Sequence, residues 1–261
     1  MSQRIWFLKR CDLFEQLTPE QLSQLEAHAR VRRYERNSAI YLPGDHADGV
    51  LLLAEGRIRI CDFTPDGKQA ILAFIEPGEM FGELALIDAH PREERAEAAT
   101  PATVIMIPGE AMQRLMESVP NLFLGITKLI GFRRRRIERR LKTLLFRSNR
   151  ERLMNLLLEL ADQYGCRDPA GILIDIRLSH QDLANIIGST RETVTITLGE
   201  LQDEGTISIA RRTIVLTRPE RLIAGSDLVP PRVLGMLNNG VKSGRVAPGA
   251  AAKREASDRR M

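Results

Sequence analysis

The sequence has 261 residues, 43% hydrophobic and 28% charged, a balance that lets a globular chain bury a core and excludes a collagen-like or wholly disordered one. Its 38 Lys and Arg against 34 Asp and Glu leave +4, but the excess is local: residues 1–110 hold 12 basic and 18 acidic side chains, 111–147 hold 10 and 2, 148–230 hold 9 and 12, and 231–261 hold 7 and 2. Net charge therefore gives no warrant for nucleic-acid binding, because the basic excess sits in one central stretch and the tail.

From the N-terminus, Leu13, Phe14, Leu17, Leu22 and Leu25 recur at helical spacing over 12–30, with Thr18-Pro19-Glu20 opening a second short helix. From about 31 to 108 the texture becomes that of short strands, at 50–53, 57–60, 70–74 and 103–107, with glycines between them. Pro65-Asp66-Gly67 marks a hairpin turn and Glu76-Pro77-Gly78 another. Many short strands at regular spacing predict an antiparallel barrel or roll.

After Pro108-Gly109 the period turns helical. Phe123, Ile130, Ile137 and Leu144 recur every seven residues, with Thr127, Arg134 and Leu141 at the other seam position, which predicts one long helix over 111–147. On pattern alone the seam could face its own domain; the positive charge on the other faces favours a solvated helix that meets a partner. Arg133 to Arg136 and Arg139-Arg140 read as that solvated face rather than as a phosphate patch. An amphipathic helix follows over 148–163, then a polar loop to Ala170, a strand at 172–176, two helices and a hairpin. From about Gly225, scattered Pro, Gly and Ala with a basic end predict a disordered tail.

The most specific constellation lies at 178–204. Ser179 with Asp182 forms a helix cap, Leu183, Ala184, Ile186 and Ile187 give the first helix an apolar face, and Gly188 permits a tight turn. Ser189 with Glu192 predicts a second cap, heading a helix that buries Val194, Leu198 and Leu201. Two short capped helices around a Gly turn describe a helix-turn-helix. The start of the second helix offers Arg191, Glu192, Thr195 and Ile196: an Arg can give paired hydrogen bonds to guanine, a Glu can accept from cytosine, and Ile196 can touch a thymine methyl. Ser179, Ser189 and Thr190 suit phosphates, as do Arg211 and Arg212 at the turn of the following hairpin, the wing.

The run Leu178-Ser179-His180-Gln181-Asp182-Leu183-Ala184-Asn185-Ile186-Ile187-Gly188-Ser189-Thr190-Arg191-Glu192-Thr193-Val194 strongly resembles the helix-turn-helix of the Crp/Fnr family of bacterial transcription regulators. Gly44, Gly56, Asp66-Gly67, Gly78 and Phe81-Gly82-Glu83-Leu84-Ala85-Leu86 resemble that family's cyclic-nucleotide-binding β-roll, so the likeness covers about 10–222. It implies an α+β fold: a sensory β-roll over 1–110, a dimerisation helix over 111–147, a winged helix-turn-helix over 148–224, and a basic tail over 225–261. It further implies a cytoplasmic homodimer that reads an inverted repeat in double-stranded DNA, half-sites ~34 Å apart, and that meets RNA polymerase.

The likeness places an effector pocket at Gly82, Glu83, Leu84, Arg92, Glu93, Ile137 and Glu138, and two departures there bear on the effector. Members that bind cyclic AMP follow the pocket Arg with Ser or Thr, whereas Arg92 here precedes Glu93 and Glu94, carboxylates expected to repel a phosphodiester and to claim Arg92. Those members also set a Thr-Ser pair against the adenine, and this chain has Ile137-Glu138. Cyclic AMP is thus disfavoured; cyclic di-GMP, haem, or no effector stay open. In the recognition helix, most relatives carry Arg at the position of Ile196, so a half-site altered at one position is expected. Cys11 stands alone where the oxygen-sensing branch clusters cysteines for iron-sulfur ligation; Cys11, His28, His46 and His90 are conceivable haem ligands. Widely spaced Cys11, Cys61 and Cys166 predict reduced thiols and no bound metal. No apolar run approaches the roughly 18 residues of a membrane span, the start lacks a signal-peptide core, and no nucleophile-base or phosphate-loop motif points to an enzyme. The competing reading is a nucleotide- or haem-sensing module whose output is a protein contact.

Overall fold

The computed structural model describes residues 3–88, 90–210 and 213–224; Arg211, Arg212 and the segment from 225, with the phosphate contacts and disorder expected of them, lie outside the described residues. Two compact units form among the described residues, one from those up to Leu153 together with Leu178–Gly199, the other from Met154–Arg177 and the described residues between Glu200 and Ala224.

The first unit is built on two four-stranded antiparallel sheets. One has the order β1 (Arg30–Tyr34), β8 (Ala102–Pro108), β3 (Gly49–Glu55), β6 (Met80–Phe81). The other runs β2 (Ala39–Tyr41), β7 (Arg95–Ala98), β4 (Ile58–Phe63), β5 (Gln69–Ile75). The unbroken apolar run of β3 has a geometric cause, since alternate strand residues face opposite ways. Val50, Leu52 and Ala54 join the core shared with the helices, while Leu51 and Leu53 join the core between the sheets. β8 divides in the same way, Ile105 and Ile107 to one side and Ala102 and Val104 to the other.

Helices α1 (Gln3–Leu8), α2 (Pro19–His28) and α3 (Gly109–Ser118) cover the outer face of the first sheet, burying Leu8, Leu22, Leu25, Met112 and Leu115. Thr18 and Gln21 close a capping box at the head of α2. The helix expected over 111–147 is in fact two, α3 and α4 (Pro120–Phe146), separated at Val119. Proline lacks the N–H a continuing helix needs and keeps the preceding residue out of the helical region, and Val119 accordingly sits at φ −132°, ψ 83°.

The strands β1, β2, β6 and β7 have no clear pattern in the sequence. β1 is an edge strand with Arg30, Arg32 and Arg33 exposed. β7 looks polar because its core residues are Ala96 and Ala98 and because buried Glu97 is neutralised by Arg59 and Arg95.

The second unit carries a four-stranded antiparallel sheet in the order β11 (Ile207–Ala210), β12 (Thr213–Leu216), β10 (Gly171–Ile174), β9 (Gly165–Asp168). The polar loop expected up to Ala170 is mostly strand β9. Cys166 pairs with Leu173 across the ladder, and Asp168 closes the turn by accepting from the Ala170 N–H at 2.8 Å. α5 (Asn149–Tyr164) buries Leu156, Leu157, Leu160 and Ala161. No described helix is long and apolar enough to cross a membrane.

Candidate nucleic-acid interface and roll pocket

The helix-turn-helix comprises α6 (His180–Ile187) and α7 (Arg191–Asp203). Ser179 Oγ accepts from the Asp182 N–H at 3.1 Å and donates to Asp182 Oδ2 at 2.6 Å, while the Ser179 N–H donates to the same carboxylate at 2.9 Å. Both donors of Ser179 are therefore used within its own cap. Leu183, Ala184, Ile186 and Ile187 are buried as their spacing requires. Gly188 ends α6 at φ 65°, a conformation glycine adopts without strain, and its N–H donates to Ala184 O.

The cap of α7 lies one residue later than Ser189. The first helical hydrogen bond runs from the Val194 N–H to the Thr190 carbonyl, and Thr190 Oγ1 accepts from the Thr193 N–H at 3.2 Å. Ser189, half-buried, instead uses its N–H to bond Ala184 O. On the first turns of α7, Arg191, Glu192, Thr195 and Ile196 are all exposed, Ile196 at 63%, and neither Arg191 nor Glu192 makes an ion pair among the described residues. Two exposed charged side chains at the head of a capped helix present a guanidinium and a carboxylate to whatever approaches.

His180, the first residue of α6, has its Nδ1 2.8 Å from Thr195 Oγ1 on α7. The first helix also meets the roll. Arg59 Nη1 is 3.7 Å from Asp182 Oδ1, and the side-chain amides of Asn185 and Gln69 approach at 3.2 Å.

In the roll, Gly82 at φ 67° leads into a single turn at Glu83–Leu86. Arg92 is buried to 9% exposure, lies over the Tyr41 ring at 4.7 Å, and donates to the carbonyls of Gly82 (2.8 Å) and Gly49 (2.6 Å). The expectation that a neighbouring carboxylate claims Arg92 is thus corrected. Glu93 is exposed, and Glu94 accepts from the Tyr41 hydroxyl at 2.9 Å. Buried among apolar neighbours and facing Glu94, the Tyr41 phenol is held far above its ordinary pKa, so it stays a donor. Tyr41 and Glu94, 53 residues apart, carry no motif that would reveal them. Leu84 is exposed, and Glu83 is buried where Arg133 of α4 reaches it and the Met80 carbonyl.

α4 therefore has two working faces. Leu122 and Ile126 are buried and Leu129 half-buried against the helical core, Arg133 holds Glu83, and Arg140 donates to the carbonyls of Ile71 and Leu72 on β5. The arginine run is thus partly structural rather than simply solvated. On an adjoining stripe Phe123, Thr127, Arg134, Ile137, Glu138, Leu141 and Leu144 are exposed, with Ile137 at 64% and Arg134 bonded to Glu138 at 2.8 Å. Ile130 departs from this seam: it is half-buried against the core of its own unit.

Burial pushes the thiols of Cys11 and Cys61 up to about 11, so neither is a thiolate near neutrality. Among the described residues no group of His, Cys, Asp and Glu is placed to hold a metal.

Family models match in two blocks, a cyclic nucleotide-binding domain at residues 31–119 and a Crp-like helix-turn-helix domain at 151–224. The chain is 34% identical over 196 residues to the global nitrogen regulator of Synechococcus elongatus, covering 74% of this chain and 88% of that protein. Among solved structures it resembles a Crp-family transcriptional regulator of Thermus thermophilus (TM-score 0.63, 31% identity, 74% of this chain and 95% of that one). It also resembles the c-di-GMP-responsive global regulator of Xanthomonas campestris (TM-score 0.68, 25% identity, 76% and 99%). With the roll, the long helix and the helix-turn-helix all in place, the chain belongs to the Crp/Fnr family of transcription regulators.

Proposed function

We propose that this protein is a cytoplasmic, homodimeric regulator that binds an inverted repeat in promoter DNA, with α7 entering the major groove. The observation that carries the reading is the exposed head of α7, where Arg191 and Glu192 make no ion pair among the described residues and stand beside Thr195 and Ile196. That composition suits a G·C pair flanked by a thymine. Ser189, Thr190 and, on the wing, Arg211 and Arg212 are proposed to contact phosphates, which fix position rather than sequence. The exposed seam of α4 is the proposed dimer contact, and RNA polymerase the proposed downstream partner. The division of labour is sensing by 1–110, dimerisation by 111–147 and DNA reading by 148–224.

Control is proposed to come from an effector other than cyclic AMP, with cyclic di-GMP and haem the candidates, or from none. The support is local: two of the five Arg92 N–H donors already serve protein carbonyls, Glu94 engages Tyr41, and Ile137 and Glu138 offer no hydroxyl pair to a purine. A phosphate entering there shares Arg92 with those carbonyls.

A mobility shift on a randomised palindromic pool tests the DNA reading. Wild type selects a symmetric site and binds it more weakly as salt rises, and Arg191→Ala loses most of the specific-to-nonspecific ratio; an unchanged ratio would sink the assignment of Arg191. Absorption and mass spectrometry of the natively purified protein read out a haem or a retained nucleotide, and bound cyclic AMP would overturn the effector reading.

A further inference from the structure

Thr195 stands one turn beyond Arg191 on the exposed side of α7. Its hydroxyl oxygen lies 2.9 Å from the Arg191 carbonyl and 2.8 Å from His180 Nδ1. A carbonyl only accepts, so the single hydroxyl proton of Thr195 goes to Arg191 O. The oxygen can then only accept from His180, whose proton must be on Nδ1. One imidazole at the first position of α6 thereby bonds a side chain on the second helix, and Thr195 has no donor left for a base edge. What remains for a partner is its methyl group and one lone pair of the oxygen.

Back-bonding by a threonine to the carbonyl four residues earlier is common in helices and fixes little by itself. Thr197 shows the ordinary form in the same helix: it bonds Thr193 O at 2.9 Å and is buried. Thr195 differs in being exposed and in accepting a second hydrogen bond from another helix. Threonine in a helix divides between two side-chain rotamers, and the bond from His180 favours the one that turns the hydroxyl back onto α7.

We propose that His180 is a positioning residue for base reading: it holds the Thr195 hydroxyl inward so that Thr195 presents its methyl to the 5-methyl of a thymine instead of hydrogen-bonding a base. The proposal rests on α7 being the recognition helix and goes further, naming the base feature that one of its residues reads and the residue on α6 that sets it.

The test uses the full-length protein and the duplex its wild type selects. Each thymine of a half-site is replaced singly by deoxyuridine, which removes only the 5-methyl group. Wild type loses about fourfold in affinity at one position, the order of magnitude of one buried methyl contact. That loss disappears in Thr195→Ser, which has no methyl, and in His180→Ala. It persists in Thr195→Val and in His180→Asn, whose amide can replace the Nδ1 donor, and Ile196→Ala leaves that position unaffected. His180→Leu fills the same space without a donor and serves where the alanine variant does not fold. The proposal is overturned if His180→Ala and His180→Leu keep the wild-type loss at that position, or if Thr195→Ser changes the loss at no position. If wild type selects no site, the recognition-helix reading itself fails and this inference with it, a result distinct from both.

Discussion

Arg92 and Thr190 show what a single residue does once its neighbours are known. Arg92 is easily read as an anion ligand, yet here its guanidinium ties Gly49 on β3 to Gly82 at the start of the turn that carries Glu83. Removing it leaves two carbonyls without their charged donor inside the roll. Arg92→Met is therefore expected to lower stability by about 2–4 kcal/mol, because hydrogen bonds to charged groups contribute roughly 1.5–3 kcal/mol each. Urea unfolding measures this, and a shift below half a kcal/mol would show that Arg92 is not structural. The α7 cap is a sharper comparison. Thr190→Ala should cost about 1 kcal/mol, the usual worth of an N-cap, whereas Ser189→Ala, outside the cap, should stay within about 0.5 kcal/mol. The opposite ranking of unfolding midpoints would place the cap at Ser189.

At the scale of elements, α4 decides most. Its apolar positions are more numerous than one face can bury, and the structure shows why: Leu122 and Ile126 serve its own unit while Phe123, Ile137 and Leu141 stay exposed. A heptad pattern reports that a helix has an apolar stripe, not which surface covers it. Placing aspartate at both Ile137 and Leu141 is expected to turn a dimer into a monomer in sedimentation velocity, with the far-ultraviolet spectrum of the monomer unchanged, since neither side chain belongs to the core. Ile126→Ala has the reverse profile: a loss of roughly 2–4 kcal/mol in unfolding stability, typical of a buried large-to-small change, with the oligomeric state unchanged. A dimer that survives the double aspartate variant would move the contact to another surface.

For the molecule as a whole, charge and compactness follow different boundaries. The basic stretch 111–147 is tied into the first unit by Arg133 and Arg140, which hold Glu83 and the β5 carbonyls, so part of what looks like a polyanion-binding charge is structural. The excess of 231–261, seven basic residues against two acidic, is a different matter. Deleting 231–261 is expected to weaken binding to nonspecific DNA and flatten its salt dependence while leaving the preferred site unchanged. Equal salt slopes with and without the segment would show that these charges do not touch DNA. The order of the domains, four strands of the roll, the helix-turn-helix and the residues at the head of α7 were legible in the sequence because each has a local signature: a two-residue alternation, a capped apolar helix, a glycine turn. The Val119 break is also local, but the sustained apolar period masks it. What tertiary structure alone decided were the partnerships of residues far apart in the chain: Tyr41 with Glu94, Arg92 with Gly49 and Gly82, Arg133 with Glu83, His180 with Thr195. Local pattern follows from backbone geometry, which repeats every two or 3.6 residues, whereas a polar side chain has many acceptors it could reach and only the packed fold brings one of them within bonding distance.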